Sequence, residues 1–387
     1  MSASAAKRLA VLGSTGSIGT QALEVAEREP GRVVVVALAA GRGLEALAAQ
    51  ARRWRPGALA LERAADPAAA RAVLAAAAPG AAIEVGAGAA ARLAAGCDAD
   101  VVLNGIVGAA GLRPSLATLA RGARLALANK ETLVVGGPLV AAALARGGEL
   151  LPVDSEHSAA LQCLGGRPPR EVERLVLTAS GGALRRHPDW RRATREEVLA
   201  HPVWSMGPRI TVDSALLFNK GLELIEARAL FGLEWGQLGA VLHPQTLVHA
   251  LVAFRDGSCV LQAAAPDMRL PIQLALSWPG RWGAAVPALD PLALAGLEFA
   301  PLPPGRFPAF DLALAAGQAG GTAPCVLNAA DEVAVGAFLD GAVGLARVPE
   351  IVARVLDAHR VEAVESVEQL ERLDAWARDA ARAAAAE

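Results

Sequence analysis

The sequence predicts an α/β chain in three parts: an N-terminal doubly wound parallel sheet of Rossmann-like type, an α+β domain rich in polar motifs, and a C-terminal helical bundle. Three observations carry this. Residues 8–40 read strand, glycine turn, helix, strand; from Asp154 the alanine-rich alternation gives way to blocks of His, Trp, Ser and acids; and past Phe310 the apolar spacing is helical to the end.

The first strand is Arg8 to Leu12. GSTGSIG turns the chain, TQALEVAERE forms the helix, and Pro30-Gly31 stops it before the strand RVVVVALAA. Further strands are expected at Asp100 to Asn104, Arg124 to Leu127 and Glu149 to Val153, so residues 1–150 form one parallel sheet. Residues 151–278 carry the strands RLVLTAS and SCVLQAAA among long polar motifs. Prolines recur at 279, 287, 291, 301, 303, 304 and 308, too densely for a helix or central strand, so 279–309 reads as a linker. In the helical segment 310–387, Ser366-Val-Glu-Gln369 matches a capping box before Leu370, Leu373 and Trp376.

At 387 residues the chain exceeds what one ordinary core organises. With 53% hydrophobic and 20% charged residues it reads as a well-buried soluble protein, and a net charge of −2 offers no basic stripe to nucleic acid. Cys97, Cys163, Cys259 and Cys325 form no CxxC pair, which argues against a zinc knuckle or redox dithiol and fits a reducing cytoplasm. The opening residues reach glycine before an apolar run develops, and no apolar run is long enough to span a bilayer, so neither export nor membrane insertion is expected. Lys7, Lys130 and Lys220 are the only lysines among 37 basic residues, and two of them fall in ANKET and FNKGLE. A compact ammonium can serve where a planar guanidinium does not fit.

The turn Gly13-Ser14-Thr15-Gly16-Ser17-Ile18-Gly19 follows a strand and opens a helix, where a dinucleotide pyrophosphate meets backbone N–H groups and the helix dipole. An acid closing the second strand would bind the ribose diol of NAD. Here that strand ends Ala40-Gly41-Arg42-Gly43, and Arg42 suits a 2′-phosphate, which favours NADPH; the alternative is an exposed loop arginine. Asn104-Gly105-Ile106-Val107-Gly108 and Asn129-Lys130-Glu131 also follow strands. Lys130 would face the reacting carbonyl with Glu131 orienting it, while Asn129 has a capping role as its alternative.

Asp154 and Glu156 lie two apart after the strand ELLPV, so extended chain would point them together. Glu223 is four residues after Asn219 and three after Lys220, which puts all three on one helical face. Carboxylates without a neighbouring cysteine describe a hard-cation site. His157 is a candidate fourth ligand, though strand alternation would turn it away, and Glu226 suits either a ligand or an ordinary helix face. Ser214, Asn219 and Lys220 are phosphate-type donors, and Ser180-Gly181-Gly182 can form a small anion cradle. Trp204 and Met206 have core character, yet the loop His201-Pro to Gly207-Pro suits a closing lid.

GSTGSIG, NGIVGAAGL, ANKETL, LPVDSEHSA, LTASGGALR, HPVWSMGPRITVDSALLFNKGLELIEA, HPQTLVHA, PDMRLPIQ and VLNAADEVAV together closely resemble the 1-deoxy-D-xylulose 5-phosphate reductoisomerase family, from Leu12 to about Phe338. The resemblance implies that Asp154, Glu156 and Glu223 bind Mg²⁺ or Mn²⁺. It implies that Ser180, Ser214, Asn219 and Lys220, with His201 beside them, hold the phosphate of a sugar phosphate, and that Ser155 and Lys130 contact its hydroxyl and carbonyl end. Trp204 would cover the substrate, Met206 and Gly207 would lie at the nicotinamide, and His249 resembles the second histidine of the HPQ block. A homodimer is the family expectation. Departures occur at Ala183-Leu184 for PF, at Ala263-Ala264-Ala265 before PDMR, and at Asp331, where NAANE becomes NAADE. Two rival readings are a semialdehyde dehydrogenase, which needs an activated cysteine, and a non-enzymatic NADPH-sensing module.

Overall fold

The structure, a computed structural model, describes residues 6–204 and 206–387, so the first five residues and Ser205 of the expected lid lie outside the described residues. Seven strands form the first sheet: β1 (Lys7–Leu12), β2 (Val33–Ala40), β3 (Ala58–Leu61), β4 (Ala82–Val85), β5 (Val101–Asn104), β6 (Arg124–Leu127) and β7 (Glu149–Pro152). Their order is β4-β3-β2-β1-β5-β6-β7, and every pair is parallel. The direction of winding reverses between β1 and β5. A crevice at the carboxyl ends of those strands is where ligands of such sheets bind.

Helices α1 (Ser17–Arg28), α2 (Leu44–Trp54), α3 (Pro67–Ala77), α4 (Ala89–Gly96), α5 (Leu112–Ala120) and α6 (Glu131–Ala145) connect these strands, and α7 (Ser155–Leu164) follows β7. Strands β3 (ALAL) and β4 (AIEV) escape a sequence reading because alanine carries little strand signal. Helix α6 bends at Gly136, where φ is −115°, two residues before Pro138.

The second sheet, β8 (Val172–Ala179), β9 (Leu238–Leu242), β10 (Val248–Phe254) and β11 (Cys259–Ala263), has the order β11-β10-β8-β9, with β8–β9 parallel and the other pairs antiparallel. Helices α8 (Arg195–Leu199), α9 (Pro208–Ala215), α10 (Phe218–Phe231), α11 (Arg269–Ser277), α12 (Pro308–Ala319), α13 (Ala323–Leu339), α14 (Arg347–Asp357) and α15 (Val367–Ala386) complete the chain.

Contacts group the residues into two compact units that do not follow chain order. The first holds Met1–Asn129, Val140–Ser158 and Asp267–Pro287; the second holds Lys130–Leu139, Ala159–Pro266 and Ala288–Glu387. Asp267–Pro287, which the sequence reading gives to the middle domain and the start of the linker, therefore belongs with the parallel sheet. The cause is specific: Lys7 Nζ donates to Leu276 O at 2.6 Å, Gln273 Nε2 to Glu29 Oε1 at 3.0 Å, and Arg124 Nη1 to Trp278 O at 2.9 Å. In the second unit, α9, α10 and α12 to α15 share one apolar core around Val212, Phe218, Val326 and Val352.

Ser366 caps α15, its Oγ accepting the Gln369 N–H at 3.1 Å, but Gln369 Oε1 takes the Glu365 N–H at 2.8 Å, so the expected box closes one residue early. Leu370 is buried as expected, whereas Trp376 is 38% exposed. No helix among the described residues is long and apolar enough to cross a membrane.

Candidate active site

In the first unit, Gly13 leaves β1 with φ +76°, and a Cβ there would lie 2.7 Å from the Gly105 carbonyl oxygen. At Gly19 a Cβ would lie 2.3 Å from Gly13 O. Turn and helix thus meet at a distance only glycine permits. No side chain caps α1 at Gly16, so its first-turn N–H groups, over Ser17, Ile18 and Gly19, can meet an anion. Thr15 is half-buried beside them, while Ser14 is buried and donates to Gln50 Oε1 at 2.7 Å. The fit to a dinucleotide pyrophosphate is therefore built from backbone.

Asn129 supports the neighbouring loop, its amide donating to Ile106 O at 2.7 Å and to Gly108 O at 2.9 Å. Gly41, Arg42 and Gly43 follow β2, and Arg42 lines an open cavity of about 530 Å³.

The Asp154–Glu156 pair differs from its sequence rationale. Strand β7 stops at Pro152 and α7 starts at Ser155, so no extended alternation aligns the two acids. Instead Asp154 Oδ1 accepts the Glu156 N–H at 3.2 Å across the helix start, and the two carboxylates present oxygens within 4.8 Å of each other. Ser155 donates its hydroxyl to Glu156 Oε2. His157 is not turned away: it is fully buried, with Nδ1 3.0 Å from Asp154 Oδ1. The missed signal was an Asp followed by an acidic first turn, which marks a helix start.

In the second unit, α10 presents Asn219, Lys220 and Glu223 on one face, as the spacing requires. Glu223 is 2% exposed; Lys130 Nζ donates to its Oε1 at 3.0 Å, Asn219 Nδ2 donates to Oε1, and Lys220 Nζ donates to Oε2. Lys130 Nζ also donates to Asn219 Oδ1 at 2.6 Å. The joint between α9 and α10 places these groups: Leu217, buried, sits at φ +54°, a conformation a bulky residue adopts only when its surroundings impose it.

The glycines after Ser180 let the chain approach the Ser214 backbone closely. Gly181 and Gly182 have φ +83° and +63°, and a Cβ on Gly182 would lie 2.6 Å from Ser214 O. Ser180 Oγ is 3.0 Å from His201 Nε2 and accepts the Gly182 N–H at 3.1 Å. His201 Nδ1 accepts the N–H groups of Val203 at 3.2 Å and Trp204 at 2.9 Å, so Nε2 carries the ring proton and donates to Ser180. Burial lowers the His201 pKa and keeps that tautomer neutral. Trp204 lies 6.4 Å from His249, ring to ring, with both Met206 and Trp204 half-buried and Gly207 at the start of α9.

Glu131, read as orienting a reactant, is ion-paired with Arg209 at 3.3 Å. Arg209 centres a buried ion-pair cluster that sequence reasoning missed, because its partners Glu131, Asp213, Asp331 and Glu332 come from three distant segments. His243 is structural: Nδ1 lies 2.8 Å from Glu298 O, and Nε2 accepts the Leu247 and Val248 N–H groups. The thiols give no support to a cysteine nucleophile. Burial raises Cys97, pushes Cys163 up to about 11 and Cys325 up to about 12, and Cys259 lies exposed on β11.

Three family profiles match the chain: one described as 1-deoxy-D-xylulose 5-phosphate reductoisomerase over residues 9–137, its C-terminal domain over 150–231, and the DXP reductoisomerase C-terminal domain over 263–380. Among curated relatives, the 1-deoxy-D-xylulose 5-phosphate reductoisomerase of Symbiobacterium thermophilum is 49% identical, covering 97% of this chain and 98% of its own. That of Moorella thermoacetica is 50% identical, with 98% of each chain covered. A solved Zymomonas mobilis 1-deoxy-D-xylulose 5-phosphate reductoisomerase in complex with NADPH superposes with TM-score 0.91 at 37% identity, covering 98% of this chain and 99% of that one. A DOX-P reductoisomerase in complex with NADPH, fosmidomycin and magnesium gives 0.90 at 35% identity, covering 98% of both.

Proposed function

The chain belongs to the 1-deoxy-D-xylulose 5-phosphate reductoisomerase family, and we propose that it isomerises and reduces 1-deoxy-D-xylulose 5-phosphate to 2-C-methyl-D-erythritol 4-phosphate, using NADPH and Mg²⁺ or Mn²⁺, in isoprenoid precursor synthesis. The observation that carries this reading is the buried Glu223 cluster. A carboxylate on the first turns of α10, with Asn219, Lys130 and Lys220 gathered on it, supplies a hard-cation ligand and phosphate donors in one place.

Asp154, Glu156 and Glu223 would hold the cation, an all-oxygen donor set of the kind Mg²⁺ and Mn²⁺ take. When bound, it supplies Lewis-acid polarisation of the ketone and charge stabilisation during the carbon shift. Lys220, Asn219, Ser180 and Ser214 would grip the phosphate, with His201 donating to Ser180. Remote binding energy of this kind orients the reacting centre. Lys130 and Ser155 would contact the hydroxyl and carbonyl end, where the Lys130 ammonium donates a hydrogen bond to oxygen. The Trp204 loop would exclude water, with Met206 and Gly207 against the nicotinamide and the His249 ring tilted near that of Trp204. The Gly13–Gly19 turn, Arg42, Asn129 and Glu131 belong on this reading to the nucleotide side. A homodimer and a cytoplasmic setting are the accompanying expectations.

The test is loss of NADPH absorbance with 1-deoxy-D-xylulose 5-phosphate, with added Mg²⁺ or Mn²⁺ and again after EDTA. Turnover should need both metal and phosphate, dephosphorylated substrate should be far poorer, and fosmidomycin should inhibit. Full turnover after verified metal removal would overturn the mechanism.

A further inference from the structure

We propose that Arg63 is a second specificity-determining residue for the nucleotide, gripping the 2′-phosphate of NADPH together with Arg42; this rests on the reading of the first unit as the NADPH-binding one. The two residues follow neighbouring parallel strands. Beyond the ends of β2 and β3, the Glu62 N–H donates to Ala40 O at 3.0 Å and the Arg63 N–H to Gly41 O at 2.8 Å, which fixes Arg63 beside the Gly41–Gly43 turn. Both arginines are exposed and line the same open cavity of about 530 Å³.

The charges around that cavity do not balance. Among the described residues, neither the Arg42 nor the Arg63 guanidinium has a hydrogen-bond or ion-pair partner, whereas Arg8, Arg53, Arg92 and Arg124 of the same unit all hold carboxylates. The acid next to Arg63 is committed elsewhere: Glu62 accepts the Gly88 N–H at 2.6 Å and the Ala90 N–H at 3.2 Å at the start of α4. Asp66, the acid on the cavity wall, caps α3, its Oδ1 accepting the Ala68 and Ala69 N–H groups at 2.9 and 3.0 Å. Two exposed, unneutralised guanidinium groups on one cavity call for an anion of more than one charge. A phosphate monoester carries nearly two at neutral pH and accepts from two forks at once. The rest of the wall, including Leu44, Leu61, Ala69 and Val73, is apolar and suits the flat face of an adenine.

The test measures NADPH and NADH dissociation constants for the full-length parent, Arg63→Ala, Arg63→Lys and Arg42→Ala by titration calorimetry, at low and raised salt. Arg63→Ala should weaken NADPH about tenfold and leave NADH within about twofold, because one charge-assisted contact to the 2′-phosphate is lost and NADH has no such group. Arg63→Lys should recover part of the loss, and the salt dependence of NADPH binding should be shallower in Arg63→Ala than in the parent. Equal weakening of both nucleotides would assign Arg63 to stacking on the adenine and overturn the proposal. Unchanged NADPH affinity would overturn it as well. A parent that binds NADPH no better than NADH would overturn both the nucleotide reading and the role of Arg63.

Discussion

Two buried charge clusters in the second unit solve opposite problems. Around Glu223, one carboxylate gathers two ammonium groups and an amide. Around Arg209, one guanidinium faces Glu131 at 3.3 Å, Asp213 at 3.6 Å, Asp331 at 3.5 Å and Glu332 at 3.0 Å, so negative charge is in surplus. Glu332 is further relieved by Arg378 at 2.6 Å, and these two arginines overcome burial to keep its pKa below the ordinary value. Burial would depress Arg209, but its carboxylates more than offset that and hold it charged. At these distances both Asp331 oxygens and one of Asp213 accept no hydrogen bond from a donor. Burial, then the charge of Asp213, raises Asp331 well above the ordinary carboxyl range, so it keeps a proton to donate to Asp213. Cations gathered on one carboxylate can turn to an incoming anion, which suits a site; excess carboxylates that share a proton suit a scaffold.

The sharpest way to break this contrast is Glu223→Gln. It keeps shape but removes the charge around which the first cluster is organised, and turnover should fall about a hundredfold or more. NADPH affinity, measured in parallel, should hold; equal loss of cofactor and metal binding would point to misfolding. Next in size is Lys220→Met, which should raise KM for the sugar phosphate about ten- to a hundredfold, the worth of a charge-assisted contact. Mn²⁺ affinity should not fall with it, because Lys220 competes with a cation for Glu223 Oε2. A parallel loss of metal affinity would make Lys220 a support of the carboxylate rather than a phosphate donor.

The two clusters were unequally legible in the sequence. Asn219, Lys220 and Glu223 share one helix, so a 3.6-residue period reveals them, as strand-turn-helix order reveals the Gly13 turn. Asp154 and Glu156 were found for an inadequate reason, since a helix start rather than a strand aligns them. The Arg209 cluster had no local signature: Glu131 is on α6, Asp213 on α9 and Asp331 on α13, and only tertiary packing brings them together. Arg63 was hidden likewise, being 21 positions after Arg42 and its neighbour only through the β2–β3 pairing. The departure at Asp331 was visible as a residue type but not as an energetic cost.

Asp331→Asn tests that cost. An amide can donate to Asp213 without carrying a proton that rising pH removes. Asp331 and Asp213, the latter pushed up by burial to about 6, are protonated more readily folded than unfolded. By linkage their contribution is fully present below the unfolded pKa of about 4 and declines as pH rises through the folded values. The variant should therefore be more stable than the parent by about 1–3 kcal/mol at neutral pH, with the advantage shrinking toward pH 4. Urea unfolding at several pH values reads this directly, and an advantage that grows on acidification would refute the shared proton.

The smallest stability effect is expected at Trp204. It is half-buried, touches the His249 ring only at 6.4 Å, and is tethered through its own N–H to His201 Nδ1, a bond any residue at 204 retains. Trp204→Ala should change unfolding free energy by less than about 1 kcal/mol while raising KM for the sugar phosphate and lowering kcat, because water then reaches the reacting carbonyl. Acid should mimic the variant by another route. His201 accepts the Trp204 N–H only while neutral, and burial holds its pKa below the ordinary value, so the tether is present at neutral pH and lost as pH falls through that lowered pKa. KM should rise over the same interval in the parent. A loss of about 3–5 kcal/mol in Trp204→Ala would instead identify Trp204 as a core residue and remove the lid from the mechanism.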